Sequence, residues 1–136
     1  MKTNFVIFFL FLWGCSPAQK KEAPTSSSNE PATLNAKMFK EKLSSEPNAV
    51  LLDVRTPGEV AEGIIPGAMV IDFNAADFAD KISALDKEKT YFVYCKVGGR
   101  SGKTIDQMKQ TGFKKAYSLE GGYTAWVENG FETAKP

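Results

Sequence analysis

Apolar residues along this chain fall into two regimes. Phe5 to Trp13 is one unbroken apolar run, whereas from Leu34 onward apolar positions come in short groups separated by polar or glycine-containing turns. In the second regime, Asn35 can cap a helix in which Met38, Phe39 and Leu43 recur at helical spacing, and Pro47-Asn48 ends it. Ala49 to Val54 is a short apolar run fit for a buried strand. Ala68 to Asp72 reads as another strand, and Asn74 is placed to cap a helix carrying Phe78, Ile82 and Leu85. After the polar turn Asp86-Lys87-Glu88-Lys89, the β-branched and aromatic segment Thr90 to Tyr94 predicts a strand that stops at Cys95. Residues 101 to 111 predict a helix with Ile105 and Met108 on one face and Gly112 at its exit. Lys115 to Leu119 makes a last, weak strand, and Glu120-Gly121-Gly122 turns into a short helix bearing Trp126, which is expected in the core. Alternating strands and helices of this kind predict an α/β fold built on a mainly parallel sheet.

The 136 residues leave room for one small domain once the first apolar run is set aside. Met1-Lys2-Thr3-Asn4 gives that run a positive start, and Gly14 places a small residue directly before Cys15, the layout of a signal peptide over residues 1–14. Phe5 to Trp13 would make about 14 Å of helix, less than half of a hydrocarbon core about 30 Å thick, so a permanent span is not expected. Leu12-Trp13-Gly14-Cys15 resembles a bacterial lipobox, apart from Trp13 where a small residue is usual. That resemblance implies cleavage before Cys15, acylation of that cysteine, and a lipid anchor in a bacterial cell-envelope membrane facing the periplasm. Ordinary secretion with an incidental thiol is the plainer alternative. From Ser16 to Thr33 no large apolar residue occurs, so residues 15–33 are expected to form a flexible tether and residues 34–136 the domain.

Charge and composition narrow the chemistry. Lys plus Arg number 17 against 16 Asp plus Glu, and removing residues 1–14 with Lys2 leaves 16 against 16, a balance that argues against a nucleic-acid binder. The chain has no histidine, which excludes Ser-His and Cys-His pairs and imidazole ligands. Its two cysteines, Cys15 and Cys95, are too few for a zinc cage, and neither a metal nor an organic cofactor is expected.

Cys95 stands where ligands bind in parallel α/β sheets, at the carboxyl end of a strand, with Lys96-Val97-Gly98-Gly99-Arg100 between it and a helix. Two glycines let the backbone turn several N–H groups inward at a helix N-terminus, a cradle for an anion. Such a site favours thiolate over thiol, and Lys96, Arg100 and Lys103 can add positive charge. The alternative is a small buried residue at a strand end beside an ordinary turn.

Four ordered segments extend the picture: Asp53-Val54-Arg55-Thr56-Pro57, Gly63-Ile64-Ile65-Pro66-Gly67-Ala68, Cys95-Lys96-Val97-Gly98-Gly99-Arg100-Ser101, and Leu119-Glu120-Gly121-Gly122 followed by Trp126. Together they resemble a single-domain rhodanese over roughly residues 34 to 134. The resemblance implies a central parallel sheet of about five strands flanked by helices. It also implies a sulfurtransferase in which Cys95 holds a sulfane sulfur as a persulfide, taken from a donor such as thiosulfate and passed to a thiol or cyanide acceptor. Lys96, Val97, Gly98, Gly99, Arg100 and Ser101 would then be the anion-binding loop, with Arg100 the charged residue most suited to a tetrahedral oxyanion. Lys96 could instead be a solvated surface charge.

Ile64 stands where the family usually has histidine, so a polar contact beside the Asp53 strand is expected to be missing. Asp53 and Arg55 are read as a structural pair, with support of the loop as the alternative, and Arg55 with Glu59 as a local ion pair worth about 0.5 kcal/mol. Three other functions share these features. A dual-specificity phosphatase loop would have five residues between its cysteine and arginine, where Cys95 and Arg100 have four. A rhodanese-like adaptor would need no cysteine, and a thiol redox protein would need a resolving cysteine, which Cys15 is badly suited to be.

Overall fold

The computed structural model describes residues 32–136, so the expected signal segment, Cys15 and nearly all of the tether lie outside the described residues. Five strands and five helices follow in order: β1 Thr33–Leu34, α1 Ala36–Ser45, β2 Val50–Asp53, α2 Pro57–Ala61, β3 Met69–Val70, α3 Phe78–Ser83, β4 Thr90–Tyr94, α4 Gly99–Gln110, β5 Lys115–Leu119 and α5 Gly122–Glu128. The strands form one sheet in the order β1-β5-β4-β2-β3, and every pairing is parallel. This is the α/β architecture expected. Among the described residues no helix is long and apolar enough to cross a membrane.

β4 occupies the middle of the sheet, with β5 and β2 on its sides and helices over both faces, so all of Tyr91 to Tyr94 is buried. A strand covered on both faces has no polar side to present, which is why this segment reads as continuously apolar instead of alternating. The period of two still divides its side chains. Tyr91 and Val93 pack with Leu52, Phe78, Ile82, Ile105 and Met108 under α3 and α4. Phe92 and Tyr94 pack with Leu51, Phe39 and Trp126 under α1 and α5, where Phe39 meets Phe92 edge-on at 5.2 Å. Trp126 is in the core, and its indole N–H donates to the Glu132 carbonyl at 2.8 Å.

Several boundaries differ from the sequence reading. Asn35 does cap α1, accepting from the Met38 N–H at 2.9 Å, but Met38 itself is exposed and Phe39 carries the buried face. The sheet reaches Thr33, one residue inside the expected tether, because parallel pairing with β5 uses backbone groups that need no apolar side chain. Asn74 does not cap α3; the capping position falls at Asp77, and the Asn74 N–H instead donates to Asp72 Oδ1 in a local turn. The expected strand Ala68 to Asp72 shrinks to Met69–Val70, an edge strand with both residues exposed, and short edges limit unwanted pairing. α4 starts at Gly99, two residues early, and α2 was not foreseen at all.

Candidate functional site: the Cys95 loop

Cys95 follows the last residue of β4, the central strand, so it sits between the carboxyl ends of β2 and β5. Gly98 adopts φ +106°, a left-handed conformation that bends the loop back over the sulfur and directs the chain into α4. Its N–H donates to Cys95 Sγ at 3.1 Å, and Ser101 Oγ lies 3.6 Å from the same sulfur. Burial pushes the thiol pKa up, since the residue is only 1% exposed, but the N–H and hydroxyl of Ser101 and the N–H groups of Gly98 and Val97 outweigh it and hold the pKa below its ordinary value. Hydrogen-bond donors at the start of a twelve-residue helix therefore do the work assigned in part to lysines. Lys96 and Lys103 are exposed, and Val97, at the tip of the loop, is 66% exposed.

The loop rests on α5. The Tyr123 N–H donates to the Cys95 carbonyl at 2.8 Å and the Thr124 N–H to the Lys96 carbonyl at 3.1 Å. This approach requires glycine at 122, where φ is +57° and a Cβ would meet the Cys95 carbonyl and lie 2.6 Å from Lys96 C. The segment Glu120-Gly121-Gly122 is thus as much a part of the site as the cysteine, even though it follows a different strand.

Arg100, in the first turn of α4, makes a two-pronged pair with Glu59 of α2: Nη1 to Oε2 at 2.8 Å and Nη2 to Oε1 at 2.7 Å. Glu59 is fixed in turn by a capping box at the start of α2, accepting from the Thr56 N–H at 3.0 Å and the Thr56 hydroxyl at 2.9 Å. Arg100 first, and these Thr56 donors with it, overcome burial and hold the Glu59 carboxyl at about 2. The expected Arg55–Glu59 ion pair does not form. Arg55 precedes the capping residue Thr56, so its side chain is not on the surface of α2 and turns inward to Asp53, with Nη2 to Oδ2 at 2.6 Å and Nε to Oδ1 at 3.0 Å. The guanidinium also donates to the carbonyls of Gly63 at 2.7 Å and Glu59 at 3.2 Å, and lies 4.0 Å over the Tyr123 ring. Both members of the pair are buried, and they brace the turn between β2 and α2 beside the loop.

Ile64, where the sequence reading expected a lost polar contact, is held through its backbone: its N–H and carbonyl exchange bonds with Ala134 at 2.8 and 2.9 Å. Among the described residues no buried side-chain nitrogen or oxygen lacks a partner, so the substitution leaves no orphaned group. Sequence reasoning gave Glu59 the wrong partner and missed Ser118 and Tyr123. The Thr56-x-x-Glu59 capping box was a readable signal for the first, while Ser118 showed only as a polar residue inside an apolar strand.

Residues 35–129 match the rhodanese-like domain. The chain belongs to the rhodanese-like family. A sulfurtransferase of Allochromatium vinosum is 27% identical over 103 residues, which cover 76% of this chain and 94% of that protein. The putative sulfurtransferase YtwF of Bacillus subtilis is 40% identical over 88 residues, covering 65% of this rhodanese-like chain and 82% of its relative. In three dimensions, a rhodanese-related protein from Thermoplasma volcanium superposes with a TM-score of 0.68 at 27% identity, covering 78% of this chain and all of that one. The rhodanese-like domain from the Anabaena protein Alr3790 gives the same TM-score at 28% identity, over 79% and 81% of the two chains.

Proposed function

We propose that this rhodanese-like protein is a sulfurtransferase in which Cys95 carries a sulfane sulfur from a donor such as thiosulfate to a thiol or cyanide acceptor. The observation that supports it most is the Gly98 N–H on Cys95 Sγ at 3.1 Å, at the N-terminus of α4, which favours a thiolate in a chain without a histidine base. The Cys95 thiolate attacks the outer sulfur of thiosulfate; the sulfur–sulfur bond of the donor breaks, and sulfite leaves with the electron pair. The acceptor then attacks the outer sulfur of the Cys95 persulfide, and the thiolate departs as the leaving group. Backbone N–H groups of Val97, Gly98, Gly99 and Ser101 stabilise the anions of both steps. Arg100 contributes charge more than a free fork, because both Nη atoms are committed to Glu59. Lys96, exposed beside the mouth, attracts the anionic donor. Asp53 and Arg55 support the loop through Tyr123 and Gly63.

Initial rates with thiosulfate and cyanide varied together test this reading. Parallel double-reciprocal lines that vanish in Cys95→Ser are expected for a persulfide intermediate; a rate unaffected by Cys95→Ser contradicts it. The near-complete burial of Cys95 favours a second reading, a non-catalytic binding module. That reading requires no turnover with any sulfane donor.

We also propose that the protein is exported and anchored by an acyl chain on Cys15 to a bacterial cell-envelope membrane, facing the periplasm. The charged start, the apolar run and Leu12-Trp13-Gly14-Cys15 support this. Acylation would leave Cys95 without a disulfide partner in the chain. Palmitate label is expected in the wild type and absent in Cys15→Ala; label that persists in the variant contradicts the anchor.

A further inference from the structure

Ser118 is buried in β5 between Tyr117 and Leu119, whose side chains belong to the cluster under α1 and α5. The alternation of a strand turns Ser118 to the opposite face, under α4, where an apolar side chain is the ordinary occupant. There its Oγ lies 2.8 Å from Ser101 Oγ, which is 3.1 Å from the Gly98 carbonyl and 3.6 Å from Cys95 Sγ.

Proton counting gives this cluster a direction. Ser101 has one hydroxyl hydrogen and three neighbours able to take it, of which the Gly98 carbonyl can only accept. If Ser118 accepts, neither the carbonyl nor the sulfur receives the Ser101 hydrogen. If Ser118 donates, its own buried hydroxyl is satisfied and the Ser101 hydrogen is free for the other two. Once the sulfur is charged, the charge-assisted bond is the stronger one and the hydrogen turns to Sγ.

We propose that Ser118 is a positioning residue for sulfur transfer, donating its hydroxyl hydrogen to Ser101 Oγ so that the Ser101 hydrogen is directed onto Cys95 Sγ whenever that sulfur is an anion. The inference rests on the sulfurtransferase reading, because Sγ is an anion both as the attacking group and as the group expelled from the persulfide. No atom is transferred along the chain; two hydroxyls rotate together. The charged groups around the loop are Arg100, forked onto Glu59, the Asp53–Arg55 pair, and exposed Lys96 in the loop and Lys103 on α4; α5 presents Tyr123, and β5 leads into exposed Glu120. None of these has a hydrogen bond to Ser118.

Ser118→Thr and Ser118→Val have the same shape and differ only in the hydroxyl. In the full chain, thiolate ultraviolet absorbance is followed against pH, with the Cys95→Ser trace subtracted. The titration midpoint is expected to rise in Ser118→Val and in the smaller Ser118→Ala, leaving about 3- to 10-fold less thiolate below the midpoint. Ser118→Thr is expected to keep the wild-type midpoint, and sulfur transfer at neutral pH should follow the same order. Coincident midpoints for Ser118→Val, Ser118→Ala and wild type overturn the relay. If those midpoints separate while the wild type takes up no sulfur, the relay stands and the sulfurtransferase reading fails; if they coincide while the wild type turns over, the converse holds.

Discussion

Replacing Gly122 by alanine tests whether α5 really positions the Cys95 loop. The new Cβ would lie 2.6 Å from both Lys96 C and Lys96 O and collide with the Cys95 carbonyl, so the loop must move away from α5. Two costs follow. A non-glycine residue at φ +57° is strained by about 1–2 kcal/mol, and displacing the Cys95 carbonyl from the Tyr123 N–H strands a buried donor at about 1–3 kcal/mol. Their sum, roughly 2–5 kcal/mol, is a large share of the about 5–15 kcal/mol that holds such a domain together. Gly130→Ala is the matched control: it too has a positive φ, +70°, but nothing lies within 4 Å of the position its Cβ would take. Urea unfolding of both variants should place the Gly130→Ala midpoint modestly below wild type and the Gly122→Ala midpoint roughly 1 M lower again, for a slope near 1–3 kcal/mol per molar. Sulfur transfer should survive in the control and be lost in Gly122→Ala. Equal unfolding midpoints for the two variants, or full transfer by Gly122→Ala, would refute the claim that close backbone approach builds the site.

Other expectations follow from the ion pairs and the thiol. Asp53→Ala leaves the Arg55 guanidinium buried without its carboxylate and should cost about 3–5 kcal/mol in chemical denaturation; a change under 1 kcal/mol would contradict the geometry. Glu59 has a pKa lowered from 4.5 to about 2, so its pair with Arg100 contributes stability that is fully present above pH 4.5 and lost as pH falls toward 2. Thermal melts across that acid window should show less pH dependence in Glu59→Gln than in wild type, and the variant should be less stable by about 1–2 kcal/mol at neutral pH. Sulfur uptake should rise with pH to a plateau whose midpoint lies below the ordinary thiol value of 9.0, because the loop lowers the Cys95 pKa; a midpoint above that value would show the donors are not acting on the sulfur.

The parallel sheet was legible because burial on both faces leaves an unmistakable trace in β4, and the cysteine loop was legible because Cys95 follows a strand end directly and Gly98-Gly99 stands between it and a helix. Short elements were harder. β1 and β3 have two residues each, too few for a period to appear, and they exist because neighbouring strands supply hydrogen-bond partners. α2 has only five residues, yet Thr56-Pro57-Gly58-Glu59 carried a capping signal strong enough to have placed it. Partnership among charges was the least legible feature. Arg55 and Glu59, four apart, suggested each other, whereas Glu59 reaches Arg100 41 residues away. That contact depends on how the fold brings the first turns of α2 and α4 within reach of each other, which no local pattern records.

Intact-mass spectrometry after incubation with thiosulfate probes the proposed sulfur-carrying role of Cys95 most directly. The wild-type protein is predicted to gain the mass of one sulfur atom, to lose it on addition of cyanide, and to gain nothing as Cys95→Ser. A wild type that stays unmodified, or a Cys95→Ser protein that takes up sulfur equally well, would contradict the account.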